Sequence, residues 1–228
     1  MMALTTTRRK LFLGIVILLF LNFNLFTCWT INGSGSAYSG GDCSGSSGGG
    51  TTSSANNAGV IDIYIALGGG YFLESYAKTL TFMNKTELAA LYGMNYNDLQ
   101  VLLNDALLNM ELANQTYGYL HQIAANTPYN PVVIQALKDF NYHDFCSENH
   151  CNREIFSQVQ HYLSNGKVTE IYGKIIAHTQ EIIDLLQLVK GDIDQRTFPS
   201  TKNVRRLNQA YSTALLFGQY IAEVFEAL

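Results

Sequence analysis

From Leu99 onward, apolar residues recur at Leu99, Leu103, Ala106, Met110, Ala113, Tyr117, Leu120 and Ala124, alternating steps of four and three. That spacing predicts one amphipathic helix with an unbroken seam. Asp98 suits the positive end of its dipole, and Pro128 closes the helix a few residues after Ala124. A second run comprises Val168, Ile171, Ile175, His178, Ile182, Leu185 and Val189, with Tyr172, Ile176, Ile183 and Leu186 widening the stripe; Gly191 offers a C-terminal stop. A third comprises Val204, Leu207, Tyr211, Ala214, Gly218, Ile221, Phe225 and Leu228, with Ser200 or Thr201 after Pro199 as cap.

A fourth seam, Ile63, Leu67, Gly70, Leu73, Ala77 and Leu80, crosses Gly68-Gly69-Gly70. An interior Gly costs about 1 kcal/mol relative to Ala, so this helix is expected to be kinked or thinned there, or in close contact with a neighbour. Asn84-Lys85-Thr86-Glu87 has the form of a capping box for a separate short helix that Gly93 ends. Pro131 suits the first turn of another short helix reaching about Phe140, and a further one spans residues 154–163 before Asn165-Gly166. No clean strand alternation occurs between Gly59 and Leu228. The expectation is an all-α, four-helix-bundle-like domain over residues 60–228, with short connecting helices.

What precedes it reads as an export signal and a tether. Arg8, Arg9 and Lys10 stand before residues 11–26, an uncharged apolar run broken only by Gly14, Asn22 and Asn24. Sixteen residues is just short of the roughly 17–25 that span a bilayer, so cleavage and an uncleaved anchor both remain open; either places the rest outside the cytoplasm. Leu25-Phe26-Thr27-Cys28 resembles the lipobox of bacterial lipoproteins, in which a Leu three residues before a Cys marks cleavage and lipid attachment; Phe26 is bulkier than that pattern has. The resemblance implies lipidation at Cys28. Full secretion, cleaved after Gly35-Ser36-Ala37, is the remaining alternative. Residues 31–59 are nearly all Gly, Ser, Thr and Asn and cannot bury enough apolar surface to fold. About 30 such residues reach roughly 5–6 Å × √30, or about 30 Å. The organisation is then 1–27 signal or anchor, 28–59 flexible Gly/Ser-rich linker and 60–228 helical domain.

Composition sharpens this once it is partitioned. Nine of the 19 glycines lie between Gly33 and Gly59. From Gly59 to Leu228 there are 11 basic against 17 acidic residues, a formal charge of −6, against −4 for the whole chain. That balance and export disfavour nucleic acid, including for the helix-turn-helix echo around Gly93. Four cysteines and three prolines in 228 residues exclude a disulfide scaffold and a collagen-like chain.

The densest polar cluster is His143-Asp144-Phe145-Cys146-Ser147-Glu148-Asn149-His150-Cys151. His143, Cys146, His150 and Cys151 are the candidate metal ligands, but the spacing is irregular and lacks a C-x2-C knuckle. In an oxidising compartment a Cys146–Cys151 disulfide is the preferred reading, with free thiols the alternative. Because a straight helix holds residues i and i+5 too far apart, the bridge needs residues 147–150 to turn. Lipidation of Cys28 would leave Cys43 unpaired; otherwise the two could close their own loop.

His178 falls on an apolar stripe and is the candidate ligand-binding residue, against the plainer reading of a core histidine. No Glu-x-x-His pair, haem motif, phosphate loop or nucleophile elbow occurs, so no cofactor, catalytic residue or enzymatic activity is expected. Sequons stand at Asn32, Asn84 and Asn114. The expected function is a membrane-tethered protein of the cell envelope, held by an N-terminal lipid or anchor, with a structural or protein-interaction role and an envelope protein as partner. The alternative is a periplasmic or extracellular small-ligand or metal sensor.

Overall fold

The computed structural model describes residues 52–127 and 129–228. The signal, Cys28, Asn32, Cys43 and the linker through Thr51 lie outside the described residues. The described residues form seven helices and no strand, an all-α, bundle-like fold: α1 (Thr52–Tyr92), α2 (Tyr96–Ala125), α3 (Pro131–Asp139), α4 (Tyr142–Glu148), α5 (Arg153–Ser164), α6 (Val168–Asp194) and α7 (Thr201–Glu226).

Helix α1 departs most from expectation. It begins at Thr52, inside the stretch read as linker, and continues through all three glycines and through Asn84-Lys85-Thr86-Glu87. There is no separate short helix and no capping box; the Thr86 hydroxyl instead donates to the Met83 carbonyl at 2.7 Å. The helix ends where expected, at Gly93, whose φ of +84° only glycine adopts freely and whose N–H donates to the Ala89 carbonyl. Gly68 marks a close contact: a Cβ there would stand 3.0 Å from the Tyr117 ring.

The buried seam of α1 also differs. It is Ile61, Ile65, Gly68, Phe72, Ser75, Thr79, Phe82 and Thr86, again in steps of four and three. Of the expected seam, Leu73 is half-buried, while Ile63, Leu67, Gly70, Ala77 and Leu80 face solvent. Two heptad phases coexist on one helix, and the one containing Ser and Thr is inside.

One compact unit comprises Tyr64–His121 and Glu170–Leu216. Its core joins four helical segments: Phe72 and Phe82 of α1; Leu99, Leu103, Ala106, Met110 and Ala113 of α2; Ile182, Ile183, Leu185, Leu186, Val189 and Ile193 of α6; Leu207, Ala210 and Tyr211 of α7. Every one of these α2 positions belongs to the expected seam. Lys78 with Asp105 (3.5 Å) and Lys85 with Asp98 (3.3 Å) pair α1 with α2 at the surface, where such bridges contribute about 0–1 kcal/mol each.

Helix α6 does not stop at Gly191. It continues to Asp194 because Ile193, one further turn along the apolar stripe, is fully buried. Termination falls to Arg196, at φ +55°, with Thr197 N–H to the Asp192 carbonyl and Arg196 N–H to the Ile193 carbonyl, a Schellman motif without glycine.

Among the described residues, the second unit takes in 52–63, Gln122–Thr169 and Phe217–Leu228. Three asparagines start its short helices: Asn130 accepts from Val132 N–H, Asn141 from Asp144 N–H, and Asn152 from Glu154 and Ile155 N–H. Each satisfies donors a helix N-terminus leaves unpaired. The short helix read for residues 154–163 is α5, ended by Gly166 at φ +69°. Helix α4 lies where only a polar connection was expected.

Candidate functional site

The cluster singled out in sequence is built by the end of α4 and the start of α5. Asn149 caps α4, His150 takes a left-handed φ of +51°, and Cys151 N–H donates to the Cys146 carbonyl at 3.1 Å. This is the six-to-one closure of a Schellman motif, whose first and last residues normally touch through apolar side chains. Here both are cysteines. Residues 147–150 therefore turn as pairing would require, but the two cysteines stand as half-buried free thiols rather than the expected disulfide.

An aromatic stack links α4, α5 and α7 beside this turn. Phe145 stacks on Phe156 at 5.7 Å, and Phe156 meets Tyr220 edge-on at 5.5 Å. The Tyr220 hydroxyl accepts the Asn152 N–H at 2.7 Å, tying α7 to the residue after Cys151. Burial, the Cys146 hydrogen bond and the Glu223 carboxylate push the Cys151 thiol up to about 12, so it stays protonated at neutral pH. Burial likewise raises Tyr220. Tyr220 and Glu223 were invisible to sequence reasoning, since they lie some seventy residues from the cysteines and only packing of α7 brings them there.

His143 and His150 are exposed, and among the described residues no three His, Cys, Asp or Glu side chains gather to hold a metal ion. His178 is 7% exposed on the buried stripe of α6. Burial and the Lys174 charge lower its pKa to about 4, so the ring is neutral at pH 7.

Two polar nodes sit within the four-segment core. Tyr211 is fully buried, its hydroxyl 2.7 Å from Ser75 Oγ and 3.1 Å from Thr79 Oγ1, while Ser75 donates to the Ala106 carbonyl at 2.6 Å. Burial pushes the Tyr211 phenol up to about 12. Asn114 donates to the Ile176 carbonyl (3.0 Å) and Thr179 Oγ1 (2.8 Å), so this sequon's amide is engaged in packing. Among the described residues no helix is long and apolar enough to cross a membrane.

Taken together, fold and site define an all-α bundle protein with a paired-thiol turn. In comparisons with known proteins, no family model, no curated protein and no solved structure matches the chain.

Proposed function

We propose that the protein is an exported, membrane-tethered component of the cell envelope that holds a second protein through helix α1, without a catalytic role. One observation carries this reading: the solvent-facing seam of α1. Ile63 is 58% exposed, Leu67 46%, Leu80 37% and Leu88 55%, with Gly70 and Ala77 exposed between them. A helix apolar on two faces is the mark of a buried helix, and an apolar stripe of this extent on a folded domain marks an interaction surface. Heptad spacing fits a partner helix with its own apolar seam, packed side by side. The basic n-region, the apolar run and the lipobox-like Leu25-Phe26-Thr27-Cys28 support export and tethering, and the acidic balance of the domain argues for protein rather than nucleic acid.

Two measurements test the reading. The intact mass of membrane-extracted protein is expected to match a chain beginning at lipidated Cys28 or, for an anchor, the full length. A soluble chain beginning near Tyr38 refutes the tether. Leu67→Glu with Leu80→Glu, both at solvent-facing positions, is expected to change folding stability by less than about 0.5 kcal/mol while dissolving the native assembly in detergent extracts. An assembly of unchanged size refutes the docking face.

A further inference from the structure

The thiol pair at the α4–α5 turn has no place in that reading, and it stands whether or not the chain is tethered. Three helices end in the same closure, after α4, α5 and α6, with His150, Gly166 and Arg196 as the left-handed residues. The residues brought face to face are Tyr162 with Lys167 after α5, Asp192 with Thr197 after α6, and Cys146 with Cys151 after α4. The closure folds residues 147–150 back on themselves, which a straight helix does not do and a bridge between these two residues requires; the thiols themselves are free. Both cysteines are half-buried, so neither thiol is sealed from a small or extended disulfide substrate.

We infer that Cys146 and Cys151 form a reversible dithiol–disulfide site, with a disulfide of the glutathione or dithiol-protein class as oxidant. The turn that closes α4 carries the site: it returns the chain so that the Cys151 N–H meets the Cys146 carbonyl, with both thiols reduced.

One of the two cysteine thiolates attacks one sulfur of the external disulfide, forming a mixed disulfide and releasing the first thiolate, which takes up the proton the attacking thiol has lost to solvent. The other cysteine then gives up its proton and attacks the cysteine sulfur of the mixed disulfide, expelling the second thiolate, which is protonated in turn. Two cysteine thiols and one external disulfide become one internal disulfide and two external thiols. No other reductant or oxidant is needed, and a strong dithiol reverses the sequence.

The test uses the full chain, purified reduced and exposed to oxidised glutathione, followed by alkylation and peptide mass analysis. The wild type is expected to lose two hydrogens in the peptide carrying both cysteines, to lose both alkylation sites there, and to regain them with dithiothreitol. Cys151→Ser and Cys146→Ser are each expected to lose the internal bridge and to accumulate one glutathionyl group on the cysteine that remains. Two alkylatable thiols remaining in the wild-type peptide after full exposure would overturn the site, as would a bridge from either cysteine to Cys28 or Cys43.

Discussion

The Tyr211 hydroxyl has one proton and two buried neighbours, and counting protons sets what its loss costs. Ser75 commits its hydrogen to the Ala106 carbonyl and Thr79 commits its own to the Ser75 carbonyl at 2.9 Å. Tyr211 is therefore the donor, and the nearer oxygen, Ser75 Oγ at 2.7 Å, is its acceptor. Tyr211→Phe removes one net hydrogen bond and orphans no donor, because both hydroxyls keep their carbonyl partners. The expected cost is about 1 kcal/mol. Tyr211→Ala also removes the ring, which packs 5.7 Å from Phe72 and 5.0 Å from Tyr76, and is expected to cost about 3–5 kcal/mol. Ser75→Ala leaves Tyr211 a fallback acceptor in Thr79 at 3.1 Å, so its cost is also about 1 kcal/mol, and the Tyr211→Phe/Ser75→Ala cycle should show a coupling of about 0.5–1 kcal/mol. Urea unfolding followed by far-ultraviolet circular dichroism at constant slope reads the wild type and all four variants. A Tyr211→Phe loss above about 3 kcal/mol would mean that a buried donor has been stranded, and zero coupling would mean that the two hydroxyls do not interact; either refutes the proton assignment.

Other outcomes follow from the same reasoning. His178 is neutral when folded, with its pKa lowered to about 4 from 6.5, so the unfolded chain takes up a proton there that the folded chain refuses. Its contribution is complete above about pH 6.5 and is lost as pH falls toward 4, by about 2 kcal/mol after allowing for its residual solvation; His178→Gln should flatten that part of the urea-midpoint profile against pH, and an unchanged profile would place the titration elsewhere. Arg196→Gly relieves a left-handed residue at the α6 Schellman motif and should raise stability by about 1 kcal/mol, read as a higher unfolding midpoint; a lower midpoint would show that the arginine side chain outweighs the backbone strain.

Fold class was legible because three seams repeat too regularly to be anything but helices, and α2 buries seven of its eight expected positions. Helix α1 was legible as a helix but not as to which side faces in. Its sequence carries two heptad phases, and hydrophobicity favours the one with Ile63, Leu67 and Leu80. The inward phase holds Ser75 and Thr79, which become core residues only because Tyr211 and the Ala106 carbonyl arrive from other helices to satisfy them. Asn84-Lys85-Thr86-Glu87 misled for a related reason: a capping box is a local signal, and burial of Phe82 and Thr86 on one continuous face outweighs it.

At the thiol site, the sequence supplied the two cysteines, their spacing and the need for a turn. It could not supply His150 in the left-handed region, the stack on Phe156, or Tyr220 and Glu223 across from the sulfurs. By itself, then, the sequence determined the helical class, most helix ends and the residues able to do thiol chemistry, because capping, periodicity and bonding reach are properties of neighbours along the chain. Tertiary structure alone decided which face of α1 is core, where α6 stops and which aromatic rings gather beside the α4–α5 turn, because each depends on groups that only packing brings within a few ångströms.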